Sequence, residues 1–243
     1  MEDKAGEIYN QRCADVYDQW FGHFEEAAVD VLAGLAGGGR ALELGIGTGT
    51  VALPLAERGV EVHGIDSSPE MVARLRAKPG GDAIPVTLGD FSEVNVAGEF
   101  ALVFVVYNTL FALQTQEEQV RCFRNVAARL RPGGAFVVEA FVPDLTQLSA
   151  GRGVRLLHMT DDRVGIKIFD HDTVGQKLRS RHVVFTDDGS RLFPVEVRYA
   201  WPSELDLMAR LAGLRLRARR GGWRGEEFGA QSEKHVSIYE LPA

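Results

Sequence analysis

The sequence predicts an α/β fold, a doubly wound parallel sheet with helices on both faces, and three observations carry that expectation. A short apolar run, Ala41-Leu42-Glu43-Leu44, leads into a loop of three alternating glycines, Gly45, Gly47 and Gly49. From there to about residue 140, strand-like runs alternate with helical patterns, the order in which parallel strands and crossover helices are laid down. The run Ala101 to Val106 is apolar throughout, as befits a strand covered on both faces. A chain of 243 residues, 45% of them apolar, is long enough for one sizeable core, and a single domain is expected.

Residues 7 to 35 read as one or two helices, with Val16, Trp20, Phe21, Phe24, Val31, Leu32 and Leu35 at helical spacing. Gly37-Gly38-Gly39 ends them. After the first strand, Val60 to Ile65 and Pro85 to Leu88 read as the second and third. Ser68-Pro69 places a capping hydroxyl ahead of a proline at the first helical position. Thr115 with Glu118 forms a capping box before Val120, Phe123, Val126 and Leu130. Pro132-Gly133-Gly134 turns that helix into a strand, Ala135 to Ala140. Residues 152 to 200 break the alternation. Period-two stretches such as Gly165-Ile166-Lys167-Ile168-Phe169 predict antiparallel strands, with turns at Asp161-Asp162 and Asp187-Asp188-Gly189. A helix (Pro202 to Ala212) and two strands (Leu214 to Arg219, His235 to Leu241) close the chain.

The glycine loop reads as a ligand site. Without Cβ atoms, its glycines accept unusual backbone angles and let a ligand lie against the main chain. A dinucleotide fold asks for Gly-x-Gly-x-x-Gly. Here Thr50 stands at the last of those positions, and the pattern is Glu-x-Gly-x-Gly-x-Gly. Asp66, at the end of the second strand, suits the hydroxyls of a ribose. Gly89-Asp90-Phe91 ends the third, a carboxylate and an aromatic fitted to the amino group and flat face of an adenine. Asn108, at the end of the fourth, carries both a donor and an acceptor.

On Glu43-Leu44-Gly45-Ile46-Gly47-Thr48-Gly49, Gly64-Ile65-Asp66, Gly89-Asp90-Phe91 and Leu130-Arg131-Pro132-Gly133-Gly134, in that order over roughly residues 40 to 140, the chain resembles the class I S-adenosylmethionine (SAM)-dependent methyltransferases. The resemblance implies a Rossmann-like sheet of seven strands whose last strand is antiparallel, with the antiparallel segment inserted after strand five. It implies SAM as cofactor, S-adenosylhomocysteine as product, and a cofactor site made of Glu43, Gly45, Gly47, Gly49, Asp66, Ser67, Met71, Asp90, Phe91 and Asn108. Glu43 is then either a holder of the cofactor's amino group or a strand-end carboxylate bonded to backbone. Phe91 is either a wall of the adenine pocket or a core aromatic.

Segments 1–39 and 152–200 are read as lids, around a cofactor-binding core over 40–143 and closing elements over 201–243. Tyr17 resembles the N-terminal tyrosine of glycine and aminosugar N-methyltransferases and is one catalytic candidate. Tyr9, Trp20 and Phe21 lie in the same segment. His182, in Arg179-Ser180-Arg181-His182-Val183, is the other candidate. Trp223 and Arg224 either line the acceptor or cap the sheet. Methyl transfer from a sulfonium needs alignment above all, and an amine acceptor requires little more. A hydroxyl requires a base.

The expected acceptor is a small molecule, taking the methyl on N or O. The alternatives are a SAM-binding cyclase or regulatory module without transfer, and a nicotinamide-dependent oxidoreductase, which Thr50 disfavours. Net charge is −7, which suits nucleic acid poorly, and Asn108-Thr109-Leu110-Phe111 lacks the prolines common in nucleobase amine methyltransferases. Arg215 to Arg220 reads as one face of a strand. Asp170-His171-Asp172 superficially suggests metal, but successive strand residues point to opposite faces, so no metal is expected. Two cysteines, Cys13 and Cys122, imply no disulfide framework. No run suits a bilayer crossing and the N-terminus lacks signal-peptide order, so a cytoplasmic protein, monomer or homodimer, is expected.

Overall fold

The computed structural model describes residues 18, 24–145 and 151–243. In chain order the elements are α1 (Glu26–Ala36), β1 (Ala41–Leu44), α2 (Ala52–Glu57), β2 (Val62–Asp66), α3 (Pro69–Arg76), β3 (Val86–Leu88), β4 (Phe100–Val105), α4 (Gln116–Ala127), β5 (Leu130–Phe141), β6 (Arg152–Met159), β7 (Arg163–Asp172), β8 (Lys177–Thr186), β9 (Gly189–Arg198), α5 (Pro202–Leu211), β10 (Arg215–Arg220) and β11 (Lys234–Glu240). A 3-10 turn, Thr109–Ala112, follows β4.

Seven strands form one sheet in the order β10-β11-β5-β4-β1-β2-β3, and β6 to β9 form a separate four-stranded sheet. In the larger sheet β11 runs antiparallel to both β5 and β10, while β1, β2, β3, β4 and β5 are mutually parallel. The chain departs from β1 toward β2 and β3, then returns to lay β4 on the other side. That reversal opens a crevice between the carboxyl ends of β1 and β4, where ligands sit in open α/β sheets.

All six residues of β4 are buried, and alternate ones serve different cores. Val103 and Val105 pack with Phe123, Val126, Leu205 and Met208, the side of α4 and α5. Leu102 and Phe104 pack with Val29, Leu32, Leu55 and Leu75, the side of α1, α2 and α3. The caps stand as the sequence predicts: Ser68 Oγ accepts from Met71 N at 3.2 Å, and Thr115 and Glu118 make a reciprocal capping box.

Two details differ from the sequence reading. Strand β5 begins at Leu130, so Pro132-Gly133-Gly134 lies inside it, where Gly133 N bonds Leu241 O and Leu241 N bonds Gly134 O. Pro132 falls in the register shift of β5 against β4, between the pairs Phe100–Leu130 and Leu102–Ala135, where no ladder bond is asked of it. The buried face of α1 is Ala28, Val29, Leu32 and Ala36, with Phe24 exposed ahead of the helix.

The second sheet is stitched to the first through a buried polar network. Arg198, at the end of β9, donates to Gln119 Oε1 and to Glu204 Oε1, each at 2.7 Å. Gln176 Nε2 reaches Glu204 Oε2 at 2.8 Å. Gln119 Nε2 reaches Arg198 O at 2.8 Å. One guanidinium thus joins β9, α4 and α5, and because the groups are buried, breaking one partner of such a pair typically costs about 3–5 kcal/mol.

His235 on β11 is fully buried, with Nδ1 2.9 Å from Ser237 Oγ and Nε2 without a partner among the described residues. Burial, then the Arg219 charge, lowers its pKa to about 4. The unfolded chain, with an ordinary imidazole, binds the proton more readily between those two values. Stability is therefore fully present above pH 6.5 and is lost as pH falls toward 4, by about 2 kcal/mol for this group between pH 7 and pH 5. Urea unfolding at both pH values measures this loss, and His235→Gln should flatten it. An unchanged pH slope in that variant would refute the assignment.

Candidate active site

The backbone of the glycine loop is held first. Gly45 N and Ile46 N both donate to Ile65 O, at 2.8 and 3.0 Å, so the loop is pinned to the end of β2. Gly45 and Gly49 have φ of 72° and 80°. A Cβ on Gly45 would lie 2.5 Å from the Thr109 methyl, and one on Gly49 would lie 2.3 Å from Leu75 Cδ1. The first glycine therefore lets the segment after β4 approach the loop, and the third lets α3 pack beneath it. Gly47, between them, faces the methyl of buried Met71, with Cε 3.4 Å from where a Cβ would stand.

Asp66 closes this arrangement. Its Oδ2 accepts from Gly47 N at 2.7 Å and its Oδ1 from Ser68 N at 2.9 Å, both buried bonds. A carboxylate has about four acceptor sites, so these bonds orient it without exhausting it. Glu43 lies deeper and is 3% exposed. Burial, followed by the charge of Asp66, raises its pKa well above the ordinary carboxylate value, and only the backbone N–H of Ala52 opposes this. Its Oε2 has no hydrogen-bond partner among the described residues. A buried acceptor left in that state is costly and matches a site for a cationic donor.

The remaining sequence candidates on this sheet gather around the same crevice. Gly89 N donates to Asp66 O at 2.9 Å, which seats Asp90 beside the end of β2. Asp90 is exposed and its Oδ1 caps Ser92 N at 2.7 Å. Phe91 is half-buried and packs on the α4 side of the core, so the core reading describes its ring. Ser67 is half-buried next to the Ser68 cap. Asn108 Oδ1 accepts from Phe141 N at 2.6 Å, tying the end of β4 to the end of β5.

Several functional neighbours escaped the sequence reading. Tyr107 and Asn108 are consecutive non-glycine residues with φ of 55° and 66°, a strained pair of the kind concentrated at binding sites. The Tyr107 N–H donates to Glu139 Oε2 at 3.2 Å. Burial, with the charges of Glu139, Glu43 and Glu25, holds the Tyr107 phenol above its ordinary pKa. Lys234 spans Glu25 and Glu139. The signal for Glu139 was a lone carboxylate in the apolar run Ala135 to Phe141. Asp18 is a second such neighbour: it accepts from the Thr48 hydroxyl and pairs with Lys78 at 2.7 Å, while Lys78 Nζ also reaches Thr48 O at 2.8 Å. Asp18 is thereby fastened to the glycine loop.

Tyr17, Tyr9, Trp20, Phe21 and Cys13 lie outside the described residues. His182 belongs to the second sheet, opposite Lys167 and Phe193. Burial, then the Lys167 charge, lowers its pKa to about 4, so it is neutral at physiological pH. Trp223 is buried in the core on the α1 side, which is the sheet-capping reading. His171 is buried with Nε2 2.9 Å from Tyr199 Oη, while Asp170 and Asp172 are exposed. Arg215 and Arg217 pair with Glu240 and Arg219 pairs with Asp206. Among the described residues no helix is long and apolar enough to cross a membrane.

Residues 41–134 match the family model described as a methyltransferase domain. The chain is 30% identical over 200 residues to the cypemycin N-terminal methyltransferase of a Streptomyces species, covering 82% of each chain. Its fold superposes on the CcbJ methyltransferase from Streptomyces caelestis with a TM-score of 0.91, at 38% identity and full coverage of both chains. The SAM-bound amino pentose methyltransferase CalS10 from Micromonospora echinaspora shares the fold, with a TM-score of 0.68 at 22% identity over 93% of this chain and 96% of that one. With the strand order, the pinned glycine loop and the carboxylate ending β2, these likenesses place the chain in the class I SAM-dependent methyltransferases.

Proposed function

We propose that this protein methylates a nitrogen of a small-molecule acceptor, and that the acidic carboxyl edge of the sheet selects an amine. The observation that carries the reading is the grouping of Glu43, Glu139 and Glu25 around Tyr107, with Lys234 as the cation spanning two of them. Such an edge attracts positive charge, and both a sulfonium donor and an amine acceptor bring it. The names of relatives agree: one is an N-terminal methyltransferase and another acts on an amino pentose.

SAM supplies an electrophilic methyl group when bound. Everything else falls to the chain. Asp66, held by Gly47 and Ser68, would take the ribose hydroxyls, Asp90 the adenine amino group, and Glu43 the amino group of the methionine portion. Gly45, Gly47 and Gly49 keep the loop low enough for the ligand to lie on it, with Ser67 and Met71 beside it. Asn108 holds the ends of β4 and β5 in register next to that surface. The N-terminal segment is assigned the role of closing over the acceptor, with Tyr17 as its proposed contact. The insertion is the second proposed lid. His182, neutral at physiological pH, is proposed as a hydrogen-bond acceptor to the substrate, since its lowered basicity suits a general base poorly.

The test is product analysis with labelled SAM and a panel of primary and secondary amines matched to the corresponding alcohols. The expected result is S-adenosylhomocysteine in equal amount to an amine heavier by one methyl. Turnover confined to alcohols would overturn the amine assignment. Tight SAM binding with no acceptor turned over would instead favour a binding module.

A further inference from the structure

The two faces of the β6–β9 sheet differ in charge. Side chains that pair across neighbouring strands share a face, as do those two apart along one strand. Arg155, Lys167, His182 and Phe193 stand in one row across β6, β7, β8 and β9. His171, Leu178 and Val197 form another row of the same face. This face carries Arg155, Lys167 and Arg191 and no carboxylate. Asp170, Asp172 and Glu196 stand on the opposite face, and the other aspartates of the segment lie in its turns. There Asp170 pairs with Arg152, and Glu196 with Arg179. Lys167 is half-buried. Burial, then the charge of Arg155, lowers its pKa, and no carboxylate opposes either effect.

Two glycines shape the surface around Lys167. Phe169 lies over Gly153, where a Cβ would come within 2.4 Å of its ring, and the His158 ring lies over Gly165, where one would come within 2.2 Å. Glycine at both positions lets the rings settle onto the neighbouring strand, one on each side of the Arg155–Lys167 pair. His158 reaches this face through the bulge between Leu156 and His158, which re-aims the side chain that follows it. Its Nε2 is buried and has no hydrogen-bond partner among the described residues. Leaving a buried polar atom in that state is costly. An imidazole can present an N–H there, and beside two cations that donor suits an oxyanion.

The same face meets the carboxyl edge of the main sheet at its near end. His171 Nε2 lies 2.9 Å from Tyr199 Oη, Tyr199 packs on Phe141 at the end of β5, and Phe141 N is held by Asn108. Lys167 stands four residues from His171 along β7, roughly 13 Å at the rise of a strand. The carboxyl edge is acidic through Glu43, Glu139 and Glu25, whereas this stretch of the second sheet is basic. Two poles of opposite sign fit a molecule of the reverse polarity.

We propose that the acceptor is zwitterionic: its amine sits at the acidic carboxyl edge, and an oxyanion at its other end, a carboxylate or a phosphate, is held by Lys167 and Arg155 with His158 as a further donor. This rests on the amine reading above and extends it. Lys167 and Arg155 act on binding alone and take no part in the displacement.

The probes are straight-chain ω-aminocarboxylates of increasing length, each with its primary amide and the matching aminoalkyl phosphate. Binding is read first, as the thermal shift that each probe adds to the S-adenosylhomocysteine complex, and methylation second. At the length that spans both poles, the native chain should prefer an oxyanion to the amide by about tenfold or more in KM, with kcat alike. Carboxylate against phosphate then tells which oxyanion fits better. Lys167→Met should erase the preference and leave the KM of the amide unchanged. Arg155→Gln, a change to an exposed side chain on an edge strand, should reduce it several-fold, and Lys167→Glu should favour diamines instead. Oxyanions that bind no better than the amide, or a preference that survives both Lys167→Met and Arg155→Gln, would overturn the proposal. Methylation of alcohols alone would overturn the amine reading and not the oxyanion site, which the binding comparison still decides.

Discussion

Asp66→Ala should abolish the thermal stabilisation that SAM and S-adenosylhomocysteine give the native chain. The carboxylate is aimed by Gly47 N and Ser68 N, and two ribose hydroxyls bonded to a charged acceptor are worth about 1.5–3 kcal/mol each. Their joint loss weakens binding by roughly 100-fold or more. A ligand at about 100 times its dissociation constant stabilises by about 2.7 kcal/mol, a shift of several degrees for a chain of this size. At the same concentration the variant should show almost none. The substitution also strips the acceptor from two buried N–H groups, which costs about 1–3 kcal/mol each, so the ligand-free variant should melt earlier. Each ligand shift is therefore read against the same variant without ligand. Asp66→Asn keeps an oxygen for only one of those two N–H groups and turns an amide NH2 toward the other, so it should fall between. A full shift in Asp66→Ala would remove Asp66 from the site, and NADH, included as a control, should stabilise neither chain.

Much of this site was legible because it is local in sequence. The glycine loop, Asp66 and Asp90 each follow a strand directly, and strand ends at one sheet edge converge whatever the helices do. The caps at Ser68 and Thr115 were legible for the same reason, since each is decided within four residues. Glu139 and Tyr107 were harder to read. Their significance depends on β5 lying beside β4, and on a backbone N–H of one strand end finding the carboxylate of the other. Lys234 enters from more than ninety residues further along, through β11. The alternation over residues 152 to 200 predicted the insertion but not which face would be covered, because both faces of β7 and β8 carry apolar residues. Asp18 was hidden for another reason: in Asp15-Val16-Tyr17-Asp18 nothing in the sequence marks which carboxylate reaches Thr48.

Glu43 offers the sharpest separation of a binding role from a structural one, because the two predict opposite signs. Its carboxyl pKa is raised by burial first and by Asp66 second. A carboxyl whose folded pKa exceeds the unfolded one contributes stability that is fully present below the unfolded value and is lost as pH rises through the folded value. Once ionised, the group is thus a burden on the ligand-free protein. Glu43→Gln keeps an oxygen for the Ala52 N–H and removes the charge, so the ligand-free variant should be more stable at pH 7, by about 1–2 kcal/mol, as when a binding site gives up function. The same change removes a charged acceptor from the cationic amino group of SAM, at about 1.5–3 kcal/mol, roughly 10- to 150-fold in affinity. Native affinity should also rise with pH as Glu43 ionises, whereas the variant's should be flat. Calorimetric titration with SAM at several pH values, beside thermal unfolding without ligand, measures both halves. If Glu43→Gln instead lowers stability and leaves affinity unchanged, the carboxylate serves the backbone at the end of β1. Stability and affinity moving in opposite directions would mean that the chain keeps a buried charge because its cofactor completes it.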